Sequence, residues 1–468
     1  MTGEAGDPTG ATTSVVTAFL RHEARVLLLR RSDAVETHVG RWGGVSGTLE
    51  GDPEAHVRRE IEQETGLGSS DLELVRTGRA LTVEDTVADR RWSVHPFCFE
   101  SARSAISLSV EHDAAEWVHP TAILEPDRPT VPALWRAYER VAPSVRTVTA
   151  DRDHGAATLS IRALEVLRDR AGLLEAEHRR DSESADESAD ATPADWDEIG
   201  ALASDLREAR PGMAVVRNRI DRAMARAVER RGEEIRTGQS DDHRVDPDEP
   251  PDPTVVHQAA LATIERSLQA DARAARVAAE HLEGTVATLS RSGTVERAVS
   301  RARPDRVLVA TSAPTNEGIE MAERLARRFA DTHTRVVVHP DGATAHVLAT
   351  EAVDQVVVGA DTVLPDGRLV NRAGTRGLAT LARSEDVPVT AVASADKITP
   401  DPEPRLEAVP GSDVYDGDGA IDVLNPLFDV TPPEHLDRIA SEMGLLDADD
   451  VREIAERHER HRAWLDRR

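Results

Sequence analysis

Asp354-Gln-Val-Val-Val-Gly-Ala-Asp361 opens the stretch on which the fold turns. Asn371-Arg-Ala-Gly-Thr375, Ala395-Asp-Lys397 and Asn425-Pro-Leu-Phe-Asp-Val-Thr-Pro-Pro433 continue it. Val356 to Val358 is β-branched and apolar with turn residues behind it, the pattern of a buried parallel strand. The carboxyl ends of such strands border the ligand crevice of an open α/β sheet. Asp361 therefore falls where that crevice is expected, and Asn371, Lys397 and Asp429 fall at comparable strand ends or loops. Any one of them taken alone reads as a turn residue closing a βα unit.

Around this stretch, residues 284–468 alternate strand and helix, as a doubly wound, Rossmann-like parallel sheet does. Strands are expected at Thr285–Leu289, Val307–Ala310 and Val336–Val338, with helices at Ile319–Ala330 and Ala343–Ala349. Ser290-Arg-Ser-Gly-Thr294 and Thr311–Gly318 put small hydroxyl residues at helix starts. Each is either an anion site or a capped turn. Upstream, residues 146–283 read as a helical subdomain, with helices at 155–167, 196–210, 214–230 and 255–282. Two acidic, low-complexity stretches, about 178–194 and 231–254, read as disordered loops.

The N-terminal part has its own pattern. After a flexible segment (1–13), Val15–Leu20 and Val26–Leu29 form a β-hairpin signal around His-Glu-Ala. Asp52 and Pro53 start a helix that Gly66 ends. On it Glu60 and Glu64 lie four apart, with Gln63 beside them. Carboxylates so placed repel, and a hard cation such as Mg²⁺ would relieve them through oxygen ligands. Strands at 93–99 and 116–118 and a helix near 132–141 complete a unit over 14–145.

Lys+Arg number 57 and Asp+Glu 85, a formal net charge of −28, and Lys397 is the only lysine. An acidic, lysine-poor surface suits a high-salt cytoplasm, where screening removes self-repulsion. It lacks the basic stripe of a nucleic-acid binder, so no direct nucleic-acid contact is expected. Cys98 is the single cysteine, which excludes intrachain disulfides and thiolate zinc sites. No apolar run approaches the roughly 20 residues of a membrane span, and the acidic N-terminus has no signal-peptide pattern. The expectation is a soluble, cytoplasmic protein of an extreme halophile.

Gly-Ala-Asp361, Asn371-Arg-Ala-Gly-Thr375 and Asn425–Pro433 resemble the signature of a family comprising the alpha, beta and delta subunits of translation initiation factor 2B, the ribose-1,5-bisphosphate isomerases and the methylthioribose-1-phosphate isomerases. The likeness runs over about residues 150–460. It implies a ligand pocket for a phosphorylated sugar or nucleotide. By the same resemblance Arg210-Pro-Gly-Met213 is similar to an Arg-Pro-Thr motif whose arginine holds phosphate. Asp153-His-Gly-Ala156 is similar to Arg-Gly-Ala, whose amides at Gly155 and Ala156 would meet phosphate. Asn371, Arg372 and Lys397 join the implied binding set. In the isomerases a cysteine works with the aspartate that Asp361 matches. Ser290 stands at the cysteine position and Leu289 at the preceding histidine, so the implied catalytic pair is Asp361 with Ser290, and a serine is a poorer acid than a thiol of pKa ~8.5. Family members assemble through this domain, so a homo-oligomer, dimer or higher, is expected.

Arg59-Glu-Ile-Glu-Gln-Glu-Thr-Gly-Leu67 resembles the second half of the Nudix box, which implies an α/β/α sandwich and Mg²⁺ held by Glu60 and Glu64. Gln63 replaces one of the box's paired glutamates, and the loop after Gly47 is two residues short. Three functions follow: a regulatory protein like the initiation factor subunits that binds a phosphorylated sugar or nucleotide, a sugar-phosphate isomerase, and a Mg²⁺-dependent Nudix pyrophosphohydrolase. The absent cysteine weighs against the second, Gln63 against the third.

Overall fold

A computed structural model of the chain describes residues 12–86, 90–184, 193–237, 251–407 and 409–467. It forms two compact units, residues 1–143 with 169–190, and residues 144–168 with 191–468. Among the described residues no helix is long and apolar enough to cross a membrane.

In the first unit, β1 (Thr12–His22) and β2 (Arg25–Arg31) pair through a two-residue turn. Both turn residues, Glu23 and Ala24, have positive φ (49° and 63°), the primed geometry that matches strand twist. β3 (Trp42–Gly43), β4 (Val45–Thr48), β5 (Leu72–Thr77), β6 (Leu81–Asp85), β7 (Arg90–Ser101) and β8 (His112–Val118) complete an eight-stranded sheet. Its order is β3-β2-β1-β7-β5, with β4 on β1, β6 on β7 and β8 on β2.

Side chains alternate across the sheet. Val16, Ala18, Leu20, Leu27 and Leu29 pack with Val57 and Ile61 of α1 (Pro53–Thr65). Phe19, Val26 and Leu28 pack with Leu134 and Tyr138 of α2 (Leu134–Glu139). One helix on each face makes the expected α/β/α sandwich, because the period of two splits the apolar residues of β1 and β2 between faces.

The second unit begins with α3 (Val145–Ala150), the start of α4 (Ala156–Ser184), α5 (Pro193–Glu208), α6 (Ala214–Thr237) and α7 (Pro253–Ala279). α4 and α6 overrun the boundaries expected of the two acidic loops. Residues 178–184 and 231–237 are helical, since Arg and Glu favour helix there despite the charge. Residues 193–194 and 253–254 are helical too, in α5 and α7, and 185–192 and 238–250 lie outside the described residues.

Then come β9 (Thr285–Leu289), α8 (Gly293–Ala302), β10 (Arg306–Ala310), α9 (Glu317–Arg328), β11 (Arg335–His339), α10 (Thr344–Thr350) and β12 (Gln355–Gly359). β13 (Thr362–Val363), β14 (Leu369–Arg372), α11 (Thr375–Ser384), β15 (Val389–Val392), β16 (Phe428–Thr431), β17 (Arg438–Ser441), β18 (Gly444–Leu446) and α12 (Ala448–His461) follow. The main sheet runs β11-β10-β9-β12-β15-β17-β18 and is parallel except for β18. Val286, Val309 and Val357 face one layer that includes α7 and α8, while Ala287, Leu308 and Val356 face another that includes α11 and α12.

The chain winds outward from β9 to β11, then returns to lay β12 against the other side of β9. That reversal is the topological switch point, where doubly wound sheets bind ligands. A small antiparallel sheet, β13-β14-β16, sits directly after β12, with Asn371 opposite Asp429.

Candidate functional site at the switch point

Ser290 follows β9 directly and Asp361 lies two residues beyond β12, so the strand order alone brings both to the switch point. Asp361 is fixed by its backbone N–H, which donates to Val370 O at 2.9 Å across the β13–β14 hairpin. Its side chain is over nine-tenths buried, and no described residue hydrogen-bonds its carboxyl group. Burial pushes its pKa up, with Lys397, Arg372 and Arg210 pulling the other way. Burial likewise pushes the Lys397 ammonium down, against the pull of Asp361. Burial thus disfavours the charged form of both groups, and their mutual attraction opposes it.

Lys397 ends a short turn after β15, where its Nζ donates to the Ala360 carbonyl. A buried charge cluster clamps that turn. Asp396 is paired with Arg219 Nε at 3.0 Å and with Arg222. Arg219 also reaches Asp271 at 2.8 Å and Ser160 Oγ at 2.8 Å. Asn218 Nδ2 donates to the carbonyls of Asp396 (2.9 Å) and Ile398 (2.7 Å). Burial alone would raise the Asp396 pKa, but Arg222 and Arg219 hold it well below the usual carboxylate range.

Ser290 adopts the left-handed region (φ 57°) and is buried. Its Oγ donates to Glu317 Oε2 at 2.7 Å, and Arg372 Nη2 donates to Glu317 Oε1 at 2.6 Å. Arg372 Nη2 also meets the Arg152 carbonyl at 3.5 Å.

The Arg210 fork is already occupied. Nη1 donates to the Asp151 carbonyl at 2.7 Å, while Nε and Nη2 hold Glu407 Oε2 at 3.1 and 3.0 Å. Gly212 N–H donates to Glu407 Oε1 at 3.1 Å. A Cβ at position 212 would lie 2.9 Å from both the Arg405 carbonyl and the Phe428 ring, which explains glycine in Arg-Pro-Gly.

The other expected residues are less central. Gly155 is exposed and Ala156 buried at the start of α4. His154, in front of them, turns its Nδ1 to Asp151 at 2.9 Å rather than toward a ligand, and Arg162 Nη1 donates to the same carboxylate at 2.7 Å. Asn371 Nδ2 is engaged by Thr375 Oγ1 at 3.0 Å. Asp429 caps α11, accepting from Gly374 N at 2.8 Å. Gly374 itself has φ 105°, which only glycine takes without strain.

In the first unit, Asp52 and Gly66 cap α1 as expected, and the helix aims Glu60 and Glu64 at β4. A Cβ at Gly47 would fall 2.3 Å from Glu60 Cδ, so glycine there makes room for the carboxylate. Glu64 is buried, its Oε1 accepting a long 3.4 Å contact from Ser46 N and its Oε2 left without a hydrogen bond. Burial, then Glu60, push the Glu64 pKa up to about 8. His112 Nε2 stands 3.7 Å away, and burial beside Arg31 lowers its pKa to about 4, so it offers no compensating charge. Gln63, expected beside the pair, is exposed instead: one position along the helix turns it about 100° from Glu64. Among the described residues no group of three or more His, Cys, Asp or Glu side chains has metal-holding geometry. The orphaned oxygen of Glu64 beside Glu60 still fits a Mg²⁺ that keeps most of its water.

The NUDIX domain model matches residues 11–141, and the model of the Initiation factor 2 subunit family matches residues 152–448. The ribose 1,5-bisphosphate isomerase of Haloterrigena turkmenica is 38% identical over 136 residues, 25% of this chain and 41% of that protein. The methylthioribose-1-phosphate isomerase of Azotobacter vinelandii is 29% identical over 167 residues, 34% of this chain and 46% of that protein. The chain thus spans less than half the length of these curated relatives. The crystal structure of the translation initiation factor eIF-2B of Pyrococcus horikoshii superposes with a TM-score of 0.47 at 21% identity, over 64% of this chain and 94% of that one. With a family match that takes in well over half of its length, the chain belongs to the Initiation factor 2 subunit family, and it carries a NUDIX domain ahead of that match.

Proposed function

We propose that the second unit binds a phosphorylated pentose at the switch point and interconverts its aldose and ketose forms. The observation that carries this reading is Asp361, a buried carboxyl group without a hydrogen-bond partner among the described residues, on which the positive charges of Lys397, Arg372 and Arg210 act. A carboxyl so placed can take a proton from one substrate atom and return it to the next, and the cations favour phosphate. The matched relatives that are sugar-phosphate isomerases support the substrate class. NMR of ribose 1,5-bisphosphate with the protein in molar KCl tests it: conversion to a ketose phosphate is expected, and an unchanged aldose spectrum contradicts the reading.

Binding should respond to the fork at Arg210. Arg210→Ala and Lys397→Ala are each expected to weaken calorimetric affinity for the bisphosphate about 10-fold or more, since charge-assisted hydrogen bonds contribute ~1.5–3 kcal/mol. Glu407→Ala, which frees the fork, is expected to strengthen it. Equal affinities in all three variants would remove Arg210 and Lys397 from the site.

The orphaned Glu64 oxygen favours a second activity, Mg²⁺-dependent pyrophosphate hydrolysis by the first unit. When bound, the metal would supply a positive centre that polarises a diphosphate; Glu60 and Glu64 would hold it. The chain's own signature is a pH effect. Glu64 keeps its proton when folded up to about pH 8 but loses it near 4.5 when unfolded. The folded state therefore binds the extra proton, and stability falls as pH rises through that window. Glu64→Gln is expected to raise Tm at pH 8 without Mg²⁺ by about 3 °C, and Mg²⁺ should stabilise the parent protein but not the variant. No difference between the two at pH 8 contradicts this assignment.

A further inference from the structure

The two loops that read equally as anion sites or capped turns, Ser290–Thr294 and Thr311–Gly318, meet at one hydrogen bond. Ser290 Oγ donates to Glu317 Oε2 at 2.7 Å, and Glu317 is the first residue of α9, at the end of the second loop. We propose that Glu317 is the proton acceptor for Ser290, and that this pair is the second proton-transfer group of the isomerisation proposed above, on which the inference rests.

A serine hydroxyl alone neither gives nor takes a proton readily near pH 7. An adjacent base changes that, provided the base is itself held by a third group. All three parts are present. Arg372 Nη2 holds the second Glu317 oxygen at 2.6 Å, so the carboxylate cannot turn away from the serine. Ser290 and Glu317 are both more than nine-tenths buried, which keeps water from competing for the proton. Ser290 also sits at φ 57°, a conformation that a residue other than glycine seldom holds unless its surroundings impose it, and such residues gather at functional sites. Arg372 is in addition one of the charges that act on Asp361, so the same guanidinium links the two proton-carrying groups.

The transfers balance. As a sugar hydroxyl gives its proton to Ser290 Oγ, the Oγ proton passes to Glu317. Asp361 meanwhile moves a proton between the adjacent carbons. Because O1 carries the phosphate, reversal through Ser290 returns the proton from Glu317 to the ring oxygen as its bond to C1 breaks, the C2 oxygen is left as the ketone, and the protein ends in its starting state. Glu317 acts through Ser290 and is a positioning and relay residue.

A bare staple between the two loops would survive Glu317→Gln, because the amide oxygen still accepts from Ser290. The test measures kcat and KM for ribose 1,5-bisphosphate by NMR, with calorimetric affinity, in Glu317→Gln, Ser290→Ala, Ser290→Cys and the double variant Ser290→Cys/Glu317→Gln. Glu317→Gln and Ser290→Ala are each expected to lower kcat about 100-fold with affinity changed less than about 3-fold. A thiol, with its pKa of ~8.5, needs no such partner, so the double variant should keep the rate of Ser290→Cys within about 5-fold. Unaltered kcat in Glu317→Gln, or the same loss in the thiol background, overturns the relay alone. A parent protein that binds the bisphosphate without converting it overturns the relay and the isomerase reading together, and absence of binding overturns the site.

Discussion

Asp361→Asn is expected to slow sugar-phosphate isomerisation by about 10²–10⁴-fold, the range for loss of a positioned acid–base group, while the protein still binds ribose 1,5-bisphosphate. The substitution keeps the shape of the side chain and removes its ability to carry a proton. Nothing described relies on that carboxyl for a hydrogen bond, so the fold should not notice the change. Affinity should hold or rise, because a carboxylate that competes for Lys397, Arg372 and Arg210 is gone. The measurement is paired: NMR for turnover, calorimetry for binding. Loss of both together would mean that Asp361 shapes the pocket rather than the chemistry.

The second large effect is on stability. Asp396→Ala is expected to cost about 3–5 kcal/mol, the range for removing one partner of a buried ion pair. Arg219 and Asp396 are both fully buried, and Arg222 nearly so. Without the carboxylate two guanidinium groups remain inside the protein, of which Arg219 keeps Asp271 as a partner and Arg222 loses Asp396. The turn carrying Lys397 would lose its main clamp at the same time, so phosphate affinity should fall alongside stability. Urea unfolding reads the first effect as a lower midpoint. A midpoint shift worth less than about 1 kcal/mol would show that the cluster is better solvated than its burial implies.

Both predictions use parts that differ in how legible they were. Asp361 was legible because a β-branched run followed by a turn has only one common reading, and parallel strands end at the ligand side. The helix over 53–65 was legible from its caps alone, and Asp52 and Gly66 do cap it. Lys397 stands out in the sequence as the only lysine, but its anchors do not: Arg219, Asp271 and Asp396 are ordinary surface residues by composition, and only the packing of α6 and α7 buries them. Glu317 lies at the end of a loop whose hydroxyl residues suggest an anion site, yet a carboxylate is the wrong charge for that, so nothing in the sequence points to its bond with Ser290. Glu407 had no signal, since it sits in a proline-rich, irregular stretch without periodicity. Gln63 stands three residues from Glu60, a spacing that suggests one helix face, but burial of Glu64 turns Gln63 outward.

A crystal structure of the protein soaked with ribose 1,5-bisphosphate in high salt is the most direct test. The sugar is expected between β9 and β12, with a sugar oxygen or carbon within reach of Asp361 and Ser290 and a phosphate on Arg210, displacing the Glu407 carboxylate. A bisphosphate ordered elsewhere, with Glu407 still seated on Arg210 and Asp361 untouched, would contradict it.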